Sequence, residues 1–320
     1  MSRSAAITLL IGLTIGAVHA QQSEDTAPQS VPATRSTEAE FPSRPELLRR
    51  IDVYEGLAQQ AKTSHSTNAS LLKIYSQLGI LYADAGMFSK SEAAMERAVA
   101  MMQAGPKDQL AVALGHLAEV HIALGDMHQA EKEQLEALRI RAGVGDPIGI
   151  ALARSDLAAL YVRERKYAKA LELATQAMDV IGDNQLAEVT DRIAIRQILA
   201  TALCDCHDCA RAVPLLKDAI DSATNAFGPD SLSVGIASSV LGYVYWRSGD
   251  LADASAWMEQ GIAKMKADLG WGHPIYLNAV SVYAKLLRQL GHMEEADTAE
   301  REVRQAHSVV DARSFVARAQ

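Results

Sequence analysis

LGYVYWRSGDLADASAWMEQG, residues 241–261, reads as two short helices joined at Gly249-Asp250. On the first, Leu241, Gly242 and Tyr245 share one side. On the second, Leu251, Ala254, Met258 and Gly261 recur every three or four residues, so each helix carries a single apolar stripe. A hairpin this small cannot bury both stripes by itself; copies have to stack and share a core.

Five further copies fit the same template. Taking the turn residue as reference, the six centre on Gly86, Gly125, Arg165, His207, Gly249 and Gly291, at steps of 39, 40, 42, 42 and 42 residues. Two centres lack glycine, so the phase rests on smaller signals. Seven residues before each centre stands Gly79, Ala118, Ala158, Ala200, Gly242 or Ala284, and five after stands Ser91, Ala130, Ala170, Ala212, Ala254 or Ala296. All twelve are small because the two helices of a hairpin touch there, and a larger side chain would force their axes apart.

An aromatic residue or Leu, then Leu-Gly or Leu-Ala, Tyr, Gly-x-Tyr, and Ala, a large residue and Ala recur in this phase. In that pattern the chain resembles the tetratricopeptide repeat (TPR) family over roughly residues 70 to 307. The loops Phe227-Gly-Pro-Asp and Leu269-Gly-Trp-Gly-His-Pro resemble the longer, kinesin-light-chain-like variety. The resemblance implies an all-α, right-handed α-solenoid of six TPR-type hairpins with an N-terminal capping helix. It also implies a scaffold that binds a protein or peptide, without a cofactor and without catalysis of its own.

Hydrophobic residues make up 49% of the chain and aromatics only 5%, which suits Ala/Leu-rich helices. The net charge of −8 argues against nucleic acid as a partner, since phosphate binding needs clustered Lys and Arg. Residues 1–20 begin with Arg3, continue through about 14 apolar residues and end in Val-His-Ala, the pattern of an export signal cleaved after Ala20. The run is short of the roughly 20 apolar residues that span a bilayer. The absence of cysteine from those twenty residues excludes a lipoprotein-type anchor. The mature protein is therefore expected to be periplasmic or secreted, with no membrane insertion.

Residues 21–42, rich in Gln, Ser, Thr, Pro and acids, read as a disordered linker. The solenoid is expected over 43–309. Its capping helix, 43–62, opens with a Ser43/Glu46 box and Pro45, and carries Leu47, Leu48, Ile51, Tyr54, Leu57 and Ala61 on one side. The hairpins are expected at about 70–104, 110–142, 149–182, 188–225, 232–268 and 275–308. Glu300 and Arg304 replace the apolar residues found at Met258 and Ile262, so the array should end there, ahead of a tail at 310–320.

In the TPR family the first helix of each hairpin lines the concave face, which makes its outward positions the candidate binding surface. The middle hairpins offer small or neutral residues there and suggest an open trough. The last two offer Tyr243, Trp246, Asn278, Lys285 and Arg288, with Gln197 and Lys73 on earlier hairpins. Tyr, Trp and Arg often dominate interface energetics, so Tyr243, Trp246, Lys285 and Arg288 are expected to anchor an extended peptide or acidic segment. The competing expectation is that Tyr243 and Trp246 pack on the next hairpin.

Cys204, Cys206, His207 and Cys209 replace the usual turn of the fourth hairpin. They could hold Zn or Cu(I), act as a redox group, pack as small hydrophobes or form a Cys206–Cys209 disulfide. A thiol- or metal-handling protein built on them is the alternative to the scaffold. No Gly-x-Ser-x-Gly elbow, phosphate-binding loop or His-Glu-x-x-His occurs, and the many acids are spread over helix faces, so no carboxylate pair for acid–base work stands out.

Overall fold

A computed structural model describes residues 44–63, 68–103, 105–182, 184, 186–270 and 273–318. The expected export signal and linker lie outside these residues. Among the described residues there are thirteen helices and no strand: α1 (Arg44–Thr63), α2 (Asn68–Asp84), α3 (Phe88–Met102), α4 (Lys107–Leu124), α5 (Met127–Val144), α6 (Pro147–Arg163), α7 (Tyr167–Ile181), α8 (Val189–Asp205), α9 (Cys209–Phe227), α10 (Leu232–Ser248), α11 (Leu251–Leu269), α12 (Pro274–Leu290) and α13 (Met293–Arg318). Each helix packs on its chain neighbours, giving an α-solenoid of six hairpins capped by α1. The even-numbered helices also touch one another from α2 through α10, forming the inner layer.

All twelve small positions are buried, and the six that follow the turns are completely shielded. At Gly242 an added Cβ would lie 2.8 Å from the Met258 backbone nitrogen and 2.9 Å from the Ala254 carbonyl oxygen. The two backbones therefore meet directly. At Gly79 the three atoms nearest to it would all belong to the Met95 side chain. There the Ser91 hydroxyl donates to the Gly79 carbonyl at 2.7 Å, so the small residue also serves as a cross-hairpin hydrogen bond.

All six hairpin turns close with one bond pattern, as in Lys166 N–H to Tyr161 O with Arg165 N–H to Val162 O. That pattern places the turn residue in the left-handed region. Arg165 and His207, the two centres without glycine, adopt it anyway, with φ of 63° and 70°. At the second of these a disulfide joins Cys204 to Cys209 across the turn. This corrects the expected Cys206–Cys209 pairing: Cys204 ends α8 and Cys209 starts α9, so they face each other, while Cys206 lies in the turn itself and is a free thiol.

The ends differ from expectation in two respects. Leu48 and Leu57 of α1 are exposed, and the buried side carries Leu47, Ile51, Ala58 and Ala61, because one helix can lay only a narrow stripe on α2. The last helix does not stop near 308 but continues to Arg318.

The larger difference is in the middle. Ser155, Ala159 and Val162 of α6, Gln197 and Thr201 of α8, and Ser239 of α10 are all buried, so the expected open trough is filled. These helices are apolar on nearly every side and have neighbours on every side, as such helices must. The solenoid also meets itself. His273 Nδ1 accepts from the Ile275 N–H at the start of α12, leaving Nε2–H to donate to the Asp84 carbonyl at the end of α2, 2.9 Å away. Pro274 packs beside Gly86, so the sixth hairpin closes on the first.

The Gly242→Ala substitution is expected to cost about 2 kcal/mol or more, since two backbones would have to separate. For Gly79→Ala, a helix-propensity gain of about 1 kcal/mol offsets repacking of Met95 and leaves stability nearly unchanged. Urea unfolding of the two variants checks this; equal losses would mean that backbone contact is not what matters at Gly242.

Candidate functional site

The residues expected to anchor a ligand are dispersed in the structure. Tyr243 is 1% exposed; its hydroxyl donates to Asp205 Oδ1 of α8 at 2.8 Å and accepts from Arg247 Nη1 at 2.7 Å. Trp246 is 7% exposed and donates from Nε1 to Gln289 Oε1 of α12 at 2.8 Å. Both tie neighbouring inner helices together and are not presented to a ligand: Trp246 bonds to the next hairpin, as the packing alternative had it, whereas Tyr243 bonds back to the preceding one. The Arg288 guanidinium is held by Asp297 at 2.7 Å and by Glu300 at 2.8 and 2.9 Å, so its charge is already neutralised. Lys285 and Lys73 are exposed. Gln197 is 2% exposed with Oε1 bonded to nothing, and the half-buried Asn278 likewise has an unpartnered Nδ2.

What the inner layer does bring together is acid. Asp84 of α2, Glu119 of α4, Asp156 of α6 and Asp191 of α8 stand 2, 6, 9 and 16 residues before their respective turn residues. Those offsets follow the helical repeat, so the four carboxylates lie on one stripe of the inner helices and cross it diagonally from the first hairpin to the fourth. The signal was present in the spacing but appears only when all the hairpins are put in one register.

The first two acids line a small cleft with His116, walled by Ile80, Phe88 and Val120; its enclosed volume of about 20 Å³ is the room of roughly one water. His116 Nδ1 lies 3.7 Å from Glu119 Oε2. Burial pushes Asp84 up to about 7; His116 and Arg50 oppose the shift and Glu119 adds to it. Glu119 is raised by burial against the pull of His116. Asp156 is raised well above the carboxylate range, by burial first and then by Glu119 and Asp191, with Arg141 opposing. Asp191 is raised to about 6 by burial and Glu188, with Arg141 and Arg192 opposing. Among the described residues no Lys or Arg forms an ion pair with any of the four. Arg141 Nη1 donates instead to the Gly149 carbonyl, and Arg192 Nη1 to the Asn184 and Ala187 carbonyls.

The Cys204–Cys209 bond takes up two of the four proposed metal ligands, and no group of three or more His, Cys, Asp or Glu among the described residues is placed to hold a metal ion. The thiol of Cys206 is pushed up by burial and by Asp205, which makes it a weak nucleophile near neutral pH.

A carboxyl whose pKa is higher folded than unfolded stabilises the fold below its ordinary value near 4, and that contribution is lost as pH rises through the folded value. Asp84 and Asp191 thus predict a decline in stability between pH 4 and about 7. Asp84→Asn should flatten this slope and raise the unfolding midpoint at pH 8 by a few degrees, on the order of 1–3 kcal/mol. A variant with the wild-type slope would place the Asp84 carboxyl in water.

The tetratricopeptide repeat model matches residues 109–181 and 191–267. No curated protein matches the chain. Among solved structures, the apo form of RapI is similar at 14% identity and a TM-score of 0.63, over 84% of this chain and 94% of that one. NprR in complex with its cognate peptide NprX is similar at 16% identity and a TM-score of 0.60, over 82% of this chain and 74% of that one. BtubC (BKLC) from P. vanneervenii is similar at 20% identity and a TM-score of 0.50, over 72% of this chain and 91% of that one. The repeat is matched by sequence over four central hairpins, and with the same hairpin geometry on either side of them the chain carries tetratricopeptide repeats.

Proposed function

We propose that this protein is an exported, non-catalytic scaffold that holds an extended peptide, or an unfolded segment of a larger protein, against the inner layer of its solenoid. The observation that carries the reading is a set of polar atoms on the inner helices that are sealed from solvent and bonded to nothing: Ser76 Oγ, Asp156 Oδ1, Gln197 Oε1 and Asn278 Nδ2. Folded proteins pair nearly all such atoms, so each calls for a ligand group or an ordered water, as Gln134 on the outer helix α5 also does. The similarity to NprR, solved in complex with its cognate peptide NprX, supports a peptide as the kind of partner.

A catalytic role would call for a larger pocket with convergent titratable groups, whereas the acid-lined cleft here is about the size of one water. Export rests on the character of residues 1–20, and the Cys204–Cys209 disulfide suits the oxidising compartment it would lead to.

Selecting binders from a random dodecapeptide library, then measuring hydrogen exchange with and without one of them, tests the groove. Protection is expected in α2, α4, α6 and α8; protection confined to α3, α5, α7 and α9 would overturn the reading. Fractionation of cells making the full chain, with N-terminal sequencing, should find the protein outside the cytoplasm beginning at Gln21. A cytoplasmic protein that keeps residues 1–20 would refute export.

A further inference from the structure

We infer that the meeting of the first and sixth hairpins is a proton-sensitive latch: it stays closed while the His273 ring is neutral and opens when the ring takes up a second proton. This goes beyond the groove reading and does not depend on it.

The latch is narrow. Among the described residues α12 does not pack along α2 in the way that chain-neighbouring helices pack on one another. The two ends meet through His273, 189 residues along the chain from Asp84. Pro274 sits beside the contact, so close to Gly86 that an added Cβ there would lie 3.1 Å from its Cδ. A contact made by so few groups opens at a cost that those groups set.

Both nitrogens of the ring are committed, in opposite senses. Nδ1 accepts from the Ile275 N–H at 3.2 Å as the cap of α12, while Nε2–H donates to the Asp84 carbonyl at 2.9 Å. Only the neutral ring protonated on Nε2 can do both. A proton on Nδ1 would set two N–H groups facing each other at the cap. The imidazole is rigid, so the rotation that relieves them carries Nε2 away from Asp84. A second penalty has the same sign: His273 is 5% exposed at the N-terminus of α12, where burial and the helix dipole both disfavour a cation. The stronger bond that an imidazolium would give the Asp84 carbonyl needs the very orientation that the cap then excludes.

The neighbouring charges do not hold the imidazolium in place. Across the seam stands the Asp84 carboxyl, with Arg50 of α1 and His116 and Glu119 of α4 acting on it. Burial pushes that carboxyl up to about 7 and raises Glu119 as well, so in mild acid neither supplies a full negative charge. On the near side Tyr276 of α12 donates to Glu302 of α13, and Lys266 of α11 is paired with the same carboxylate. Closing therefore excludes a proton. Its contribution is complete above the ordinary histidine value of about 6.5 and is lost as pH falls below it, by up to about tenfold in the closed-to-open ratio per pH unit.

Pulsed electron spin resonance with nitroxides at the exposed positions Ser89→Cys and Glu294→Cys, in a Cys206→Ser background, reads the separation of the first and sixth hairpins. The shorter separation is expected to prevail at pH 7.5, and at pH 5.0 the closed-to-open ratio should have fallen by about thirtyfold, with a longer separation appearing. His273→Gln keeps an acceptor and a donor without titrating and should hold the shorter separation at both pH values. His273→Asn keeps the cap but cannot reach Asp84, and should give the longer one at both. Asp84→Asn keeps the carbonyl and should follow the unsubstituted latch within about twofold.

A change in ratio below about threefold, opening that His273→Gln retains, or a His273→Asn variant that remains closed would overturn the latch. Opening abolished by Asp84→Asn would move the controlling proton to that carboxyl and overturn the assignment to His273. Far-UV circular dichroism is expected to show unchanged helix content at pH 5.0; loss of helix in step with the longer separation would mean acid unfolding and would also overturn it. None of these readouts involves a peptide, so their failure is distinct from failure of the library selection.

Discussion

The fold depends on close contact between the two helices of each hairpin, made possible by a pair of small residues. Where that pair is Gly242 and Ala254, backbone meets side chain and backbone at less than the width of a methyl group. Where it is Gly79 and Ser91, the short distance becomes a hydrogen bond. A separation set this tightly in every hairpin gives all six nearly the same wedge shape, and equal wedges stack into a curved array. The curvature is thus a property of nine alanines, two glycines and one serine, not of the large residues that fill the core.

Curvature in turn decides what the inner layer can be. The even-numbered helices converge as the array winds, so α6, α8 and α10 have protein on every side, and apolar residues suit all of their faces. The polar groups left on that layer are therefore shut away from water at a real energetic cost. Some are answered from within the protein: Tyr243, Arg247 and Asp205 satisfy one another, and Trp246 is answered by Gln289. Asp156 and Gln197 are not answered.

Periodicity revealed the hairpins, their turns and their small contacts because each is a local rule repeated in register. Even the two turns that break the glycine rule kept their conformation at Arg165 and His207, because the bonds of the surrounding helix ends impose it. What periodicity could not reveal is how far the array winds, since that is the sum of many small rotations. Exposure of Tyr243 and Trp246 was judged as if the array were open; a tighter winding brings α8 and α12 against them. The acid row was readable in principle, as offsets of 2, 6, 9 and 16 from successive turns, but a residue's membership of a row has meaning only across repeats. The disulfide partners were misjudged for a simpler reason: three cysteines in six residues leave the choice to the exact end of α8, which spacing does not resolve.

The contact of His273 with Asp84 turns an array with two free ends into a loop of protein with a seam. A peptide held on the inner layer as proposed would be confined by that seam. It can leave only by sliding out lengthwise or by waiting for the seam to part, and it arrives under the same restriction. Association would then be slower than ordinary docking, and dissociation slower still, so that occupancy could persist long after free ligand had been diluted away. For the peptide proposed above, residence time would then follow the opening rate of one hydrogen-bonded seam.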